Sequence, residues 1–315
     1  MTINYRTHRP GDAEALSALT AVATPQDAVA TDWFTENVLL DPGFHPEGLI
    51  VAEGDAGPVG FVYAVAAPDA GENITGGWLT IGGVHPDHRR QGVGTGLLER
   101  ALAHLRRHGA AWANVSAYPP AYFVPGLDTR AYPDAARLLA AHGFRRLYTA
   151  SAMALELSTY RTPEEVHLLA RERTGQGYFI GAATPDDLPG VLELAAGEFA
   201  PDWAHAVREA VLRHGRVDRV RIVKDTAGSI VAFAIYGAYR GLRERFGPFG
   251  VRESLRGTGL GKVLLHDSLT AMRAEGAQSA WFLWTDEDSP AGHLYHRTGF
   301  EVTRRFEVQR RDLRR

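Results

Sequence analysis

Short apolar runs of strand length alternate along the chain with amphipathic stretches of helical length, and the same order occurs twice. In each half the pattern predicts a strand, a helix and then a hairpin. These elements cover 3–7, 13–23, 49–53 and 59–66 in the first half, and 178–182, 188–196, 220–224 and 230–238 in the second. Asp, Thr and Pro before the helices are typical N-terminal helix signals.

The rest of each half also matches. A long helix that stops at a glycine is followed by an apolar strand, a short helix ending in Gly-Phe and a last strand. The predicted long helices, strands and last strands cover 92–108, 111–116 and 148–156, and then 258–275, 280–285 and 301–309. Alternating strands and helices of this kind indicate an α/β domain in each half.

The duplication predicts two domains. We expect an N-terminal domain over 1–157, a connector over 158–177 that starts a helix at 162–165, and a C-terminal domain over 178–315. The halves are offset by 167 residues at Arg89 and Arg256 but by 156 residues at Gly143 and Gly299. The first half therefore carries 11 extra residues, around a segment at 118–132 that is rich in proline and aromatic residues.

A glycine-rich motif opens each long helix. It reads Arg89-x-x-Gly92-x-Gly94 in the first half and Arg256-x-x-Gly259-x-Gly261 in the second. Glycines at such a corner let backbone N–H groups converge on a ligand, and the helix adds its positive end, so the loop suits a phosphate. The spacing fits neither a dinucleotide-binding Gly-x-Gly-x-x-Gly nor a P-loop.

The motif resembles motif A of the GCN5-related N-acetyltransferase (GNAT) superfamily, and the resemblance covers both halves. It implies two tandem domains, each a mixed, mostly antiparallel sheet with splayed central parallel strands flanked by helices. It also implies acetyl-CoA as co-substrate. The residues expected to bind it are Val84, Arg89, Gln91, Gly92, Val93, Gly94, Thr95, Val251, Arg256, Gly257, Thr258, Gly259, Leu260, Gly261, Lys262 and Asp288.

The resemblance also assigns catalytic roles. Many GNAT proteins carry Asn-x-x-Ala-x-x-x-Tyr before the Gly-Phe, and this tyrosine protonates the leaving thiolate. Tyr295 stands at that position in the second half, with Asp288 replacing the asparagine, whereas the first half has Leu139 there. Since leucine cannot donate a proton, we expect catalysis in the C-terminal domain with Tyr295 as general acid. A half-buried packing role for Tyr295 is the alternative.

The base that deprotonates the amine is less clearly marked. Asp286 and Glu287 form, with Asp288, the acidic cluster nearest to the predicted site, and they could bind or deprotonate an amine. Acids here could equally serve the start of the following helix. Glu244 is a weaker candidate.

Composition narrows the possible ligands, partners and cellular locations of the protein. The net charge of −3 gives no reason to expect nucleic acid, and the absence of cysteine excludes disulfides and thiolate chemistry. We predict no metal, because His293 and His296 form a bare pair. No apolar stretch is long enough to cross a bilayer and the N-terminus lacks a signal-peptide core, so we expect a cytoplasmic protein with no membrane partner. A monomer with an internal pseudo-dimer, or a homodimer, is expected.

The leading interpretation is an acetyl-CoA-dependent N-acetyltransferase acting on a small primary amine. A non-catalytic acyl-CoA-binding, sensing or interaction protein is the alternative from another class. In a third possibility the first domain also catalyses, using water or a residue of its aromatic insert as acid.

Overall fold

The computed structural model describes residues 3–69, 74–119 and 121–314. Residues 1–2, 70–73, 120 and 315, which belong to the predicted domains and the aromatic insert, lie outside the described residues. The chain forms two compact units. The first runs from the N-terminus to Ala150 and takes in the chain from Arg304 onward, and the second spans Ser151–Thr303.

Strands and helices are numbered along the chain. The strands are β1 (Asn4–Thr7), β2 (Leu49–Gly54), β3 (Gly57–Asp69), β4 (Ile74–Val84), β5 (Trp112–Val115), β6 (Arg145–Glu156), β7 (Phe179–Ala182), β8 (Val220–Lys224), β9 (Ile230–Tyr236), β10 (Phe246–Val251), β11 (Ser279–Thr285) and β12 (Glu301–Asp312). The helices are α1 (Asp12–Ala23), α2 (Thr31–Phe34), α3 (Val93–Arg107), α4 (Pro133–Ala141), α5 (Glu164–Gly175), α6 (Leu188–Glu198), α7 (Pro201–His214), α8 (Leu260–Ala274) and α9 (Pro290–Thr298).

In the first unit, β1 to β4 form an antiparallel meander. β4 then pairs in parallel with β5, from Gly77 to Leu79. Beyond Leu79 the two strands separate, because Ser116 and Ala117 both adopt φ 55° and turn the chain away while β4 continues. The mixed, mostly antiparallel sheet with splayed parallel strands is therefore as expected.

The second unit repeats this plan. β7 to β10 are antiparallel, and β10 meets β11 at a single parallel bridge between Arg245 and Trp281. The Trp281 N–H donates to the Glu244 carbonyl at 2.9 Å, and the described pairing goes no further. α8 packs on β8 and β9, and its apolar face joins the core of this unit.

The last strand of each half pairs outside its own half. The end of β6 pairs antiparallel with β11 in the second unit, and the end of β12 pairs antiparallel with β5 in the first unit. In the first unit Arg304 of β12 forms ion pairs with Asp27 at 2.7 Å and Asp128 at 2.9 Å. The sequence repeat and the compact unit thus differ, and the predicted domain boundaries, which follow the repeat, stay a prediction.

The predicted connector helix forms as α5, which packs against α8 within the second unit. No helix in the described part of the chain is long and apolar enough to cross a membrane.

Candidate functional site

The two glycine loops share one backbone shape. Gly92 (φ 81°, ψ −5°) and Gly259 (φ 86°, ψ −6°) are the left-handed N-caps of α3 and α8. Two residues earlier, Arg90 (φ 61°) and Gly257 (φ 81°) are also left-handed. The first-turn N–H groups of a helix have no partner within it, so both loops offer backbone donors to an anion.

The second of these loops borders a cavity in the second unit. This cavity has a volume of about 920 Å³, within the range of small-molecule sites. Val251, Arg256, Gly257, Gly259, Gly261 and Lys262 of the predicted acetyl-CoA site line it. The other walls come from the connector, one face of α9 and the junction of α6 with α7.

Four cationic side chains line the cavity: Arg161, Arg256, Lys262 and Arg297. Lys262 pairs with Glu165, whose carboxylate also lines the cavity, with 2.8 Å between Nζ and Oε1. Arg256 is half-exposed and lies 3.8 Å from Glu253. The wall is therefore basic overall and suits a ligand that carries several phosphates.

Aromatic rings form another part of the wall. Phe199 stacks on Trp203 with ring centroids 4.9 Å apart. A Cβ on Gly250 would lie 2.3 Å from the Phe199 ring, so a glycine is needed where β10 passes this aromatic pair. The cavity thus combines a basic region with an apolar one.

The connector closes over the second loop. A Cβ on Gly259 would lie 2.8 Å from the Leu169 side chain of α5, and Arg173 Nε donates to the Thr258 carbonyl at 3.0 Å. Tyr160 hydrogen-bonds His266 through the hydroxyl and Nδ1, and both residues line the cavity. Burial, and then the charge of Lys262, lower the pKa of His266 to about 4.

Thr258, Leu260 and Asp288 do not line this cavity. The Thr258 hydroxyl donates to the Leu255 carbonyl at 2.7 Å, and Leu260 is fully buried. Asp288 is exposed, and the N-cap of α9 is its neighbour Ser289, whose hydroxyl accepts the Gly292 N–H at 3.0 Å.

Tyr295 lies among aromatic rings from both splayed strands. Its ring centroid is 4.5 Å from that of Phe282 on β11 and 6.1 Å from that of Phe249 on β10. The side chain is 7% exposed and is not part of the cavity wall, and burial raises its pKa above the usual range. Leu139, at the matching place in the first unit, is a buried core residue.

The other predicted catalytic residues belong to the turn before α9. The Asp286 carboxylate accepts the Asp288 N–H at 3.0 Å, and its carbonyl accepts the Ser289 hydroxyl at 2.7 Å. Glu287 is half-buried, accepts a hydrogen bond from the Ser151 hydroxyl and lies 3.9 Å from His296. Neither carboxylate lines the cavity.

Side chains of the first loop are engaged in hydrogen bonds to nearby backbone carbonyls. Arg89 donates to the carbonyls of Val84 at 3.1 Å and Ala23 at 3.0 Å, and Gln91 donates to the Asp87 carbonyl at 2.9 Å. Val93 is buried, Gly94 packs near Leu138 and Thr95 is half-buried. These residues line neither described cavity.

Sequence motifs did not predict that Arg297 and residues of the connector would line the cavity. Arg297 lies on the same face of α9 as Pro290 and Leu294, so helical periodicity could have found it. Arg161 and Glu165 were missed because the connector lies outside the repeat.

Two family models match the chain. One, described as an acetyltransferase (GNAT) domain, covers residues 45–146, and the other, described as acetyltransferase (GNAT) family, covers residues 188–300. Among curated proteins the chain is 29% identical over 316 residues to a mycothiol acetyltransferase of Salinispora arenicola, spanning 94% of this chain and 92% of that protein. It is 28% identical over 241 residues to a mycothiol acetyltransferase of Saccharomonospora viridis, spanning 70% and 69%.

Solved structures resemble the whole chain in fold. A glucosamine N-acetyltransferase region in a fungal multi-domain β-N-acetylglucosaminidase gives a TM-score of 0.81 at 18% identity, covering 98% of this chain and 38% of that longer one. A tandem GNAT protein from the clavulanic acid biosynthesis pathway gives a TM-score of 0.66 at 18% identity, covering 100% and 99%.

Proposed function

Because the chain belongs to the GCN5-related N-acetyltransferase superfamily and is an N-acetyltransferase with two such domains in tandem, we propose that its second unit catalyses acetylation of the primary amine of a small molecule. The observation that carries this assignment is the basic, part-aromatic cavity at the second glycine loop.

The residues around the second loop fit acetyl-CoA. Left-handed Gly257 and Gly259 add no side chain of their own at the corner, and the N–H groups at the start of α8 face an anion as a helix N-terminus does. Phosphate charge would be neutralised by the cationic side chains of the wall, Arg256, Lys262, Arg161 and Arg297. Bound acetyl-CoA supplies an activated acetyl thioester, so no protein nucleophile is required.

Tyr295 is the proposed proton donor to the leaving sulfur. Its place between ring side chains of β10 and β11 supports this role, because these strands separate there. Burial keeps the hydroxyl protonated at neutral pH by raising its pKa. Phe246, Phe249, Phe282 and Phe300 surround its ring and exclude water from this position.

Three carboxylates are candidates for the base. Glu287 and Asp286 follow β11. Of the two, Glu287 is half-buried and accepts a hydrogen bond from the Ser151 hydroxyl, which fixes its carboxylate in place. Asp202 is a third candidate that the sequence did not suggest. Burial raises its pKa, and it adjoins Trp203 in the cavity wall. A carboxylate with a raised pKa accepts a proton more readily near neutral pH.

The first unit lacks an equivalent of Tyr295, and Arg89 is engaged by two backbone carbonyls. We therefore assign it a supporting role rather than acetyl transfer. Since the curated relatives are mycothiol acetyltransferases, the unacetylated amine form of mycothiol is the first acceptor to assay, beside amino sugars, amino acids and polyamines.

The test is product formation with acetyl-CoA across this amine panel. Because the chain contains no cysteine, thiol released with a thiol-free acceptor comes from coenzyme A alone, and mass spectrometry serves for thiol-bearing acceptors. We expect saturable acetylation of at least one small amine. Acetylation confined to protein lysines would contradict the proposal.

A further inference from the structure

Three histidines meet in the first unit, away from its glycine loop. His45, His104 and His108 each offer a ring nitrogen, and these atoms lie within 4.8 Å of one another. The ring centroids are 4.2 Å apart for His104 and His108 and 5.0 Å apart for His45 and His108. Three imidazoles this close can surround one ion.

Local structure explains why they meet. His104 lies in the last turn of α3 and His108 is its C-cap, four residues on, so both rings share one helix face. His45 begins the turn Pro46–Gly48, and its Nδ1 accepts the Glu47 N–H at 3.2 Å. A Cβ on Gly48 would lie 3.0 Å from His104 Nε2, so the glycine lets the turn approach the helix.

Hydrogen bonding prepares the His108 ring to act as a ligand, whereas on His45 the ion would replace the Glu47 N–H as the partner of Nδ1. His108 Nδ1 lies 3.0 Å from the His104 carbonyl oxygen, and an N–H donated there leaves the Nε2 lone pair free. Metal-binding histidines commonly make this contact with a backbone carbonyl. His104 is 1% exposed, and within the described residues its Nδ1 has no hydrogen-bond partner. An unpaired buried nitrogen is costly, and a metal ion would remove that cost.

The charges around the cluster are of both signs. The cluster lies at the C-terminal end of α3, which carries partial negative charge. Glu47 follows the first of the three histidines by two residues, and its carboxylate lies 3.4 Å from Arg107. By contrast, the pair named in the sequence, His293 and His296, is not part of this group.

We propose that His45, His104 and His108 bind one divalent transition-metal ion of the Zn²⁺ class, with water or the Glu47 carboxylate in the fourth position. Three imidazoles suit Zn²⁺, Co²⁺, Ni²⁺ and Cu²⁺. The site and the first glycine loop lie at opposite ends of α3, about 22 Å apart for a helix of 15 residues. The ion therefore fastens the turn at residues 45–48 to α3, at the end of the helix away from the first glycine loop.

The test uses full-length protein without a histidine tag, first freed of metal with a chelator. Titration with Co²⁺ should give one equivalent of tightly bound ion with the absorption bands of four-coordinate Co²⁺, which Zn²⁺ should displace. Zn²⁺ should also raise the Tm. His45→Ala and His108→Ala replace exposed residues, and each should weaken binding by about tenfold or more.

His142→Ala is the matched control, because this helix C-cap histidine also has Nδ1 near a carbonyl, that of Leu138 at 2.8 Å. It should bind Co²⁺ as the wild type does. Acetyltransferase activity should survive chelation, so the metal proposal and the proposed function can fail separately. Absence of stoichiometric binding by the wild type, or unchanged affinity in both His45→Ala and His108→Ala, would overturn the metal site.

Discussion

Lys262, in the first turn of α8, pairs with Glu165 of the connector helix at 2.8 Å. The lysine holds the pKa of the Glu165 carboxyl below its usual range. A carboxylate in the wall of an anion site opposes the ligand and competes for the cation. The connector therefore sets the charge of the proposed acetyl-CoA site.

We expect Glu165→Gln to lower the KM for acetyl-CoA by about two- to fivefold, because water screens a single opposing charge at the surface and leaves it a small effect. The gain should shrink as salt is added. Glu164→Gln is the matched control, since this exposed neighbour pairs with Arg171 instead, at 3.1 Å. A KM that is the same in both variants would show that Glu165 does not face the bound phosphates.

Tyr295→Phe keeps the aromatic packing and removes the hydroxyl. If Tyr295 donates the proton, kcat should fall by about 10²- to 10⁴-fold while the free energy of unfolding changes little. Tyr178→Phe, a partly buried tyrosine packed on the same core, should keep its kcat. A Tyr295→Phe enzyme with normal kcat would leave Tyr295 with a packing role alone.

Gly250 is where β10 passes the Phe199 ring. Alanine would place Cβ 2.3 Å from that ring, which is stacked on Trp203 and packed on Phe233. We expect Gly250→Ala to lower the free energy of unfolding by about 1–3 kcal/mol. In the helical control Gly197→Ala, whose Cβ would meet nothing within 4 Å, a gain of about 0.5–1 kcal/mol is expected. Urea titration measures both, and equal effects would contradict the close contact.

His266 makes stability depend on pH. Burial and the charge of Lys262 lower its pKa to about 4 in the folded protein, against 6.5 for the free side chain. As pH falls, the unfolded chain takes up this proton first, so its contribution to stability is lost between about pH 6.5 and pH 4. From pH 7 to pH 5 the loss should be about 2 kcal/mol. Urea titrations of His266→Gln should show a drop smaller by that amount, and an identical drop would contradict the lowered pKa.

The repeat predicted most of the elements because glycines and helix-start residues mark their ends locally. Gly92 and Gly259 both prove to be left-handed caps, and Thr184 with Asp187 forms a capping box before α6. α7 was not predicted, and neither was the exchange of β6 and β12. Strand pairing depends on partners far away in the sequence. The alternation of side chains along β12 does not specify which strand it pairs with.

The motif predicted the backbone shape of the candidate site, while the binding role of its residues stays a prediction. Val251, Gly257, Gly259 and Lys262 do line one cavity. The contribution of Arg161 and Glu165 depends on how α5 packs on α8, which no local pattern encodes. The sequence also placed Asp286 and Glu287 near the site by their order in the chain, whereas the structure commits the carboxylate of Asp286 to its own turn.

Acetyl transfer is proposed to depend on the second glycine loop. Thr95 and Lys262 occupy matching positions in the first turns of α3 and α8, where a glutamate favours the helix and adds no backbone strain. The most direct measurement is kcat/KM for acetyl-CoA in Thr95→Glu and Lys262→Glu. We expect a fall of about tenfold or more in Lys262→Glu and no significant change in Thr95→Glu. A loss confined to Thr95→Glu would contradict the claim and move catalysis to the first unit.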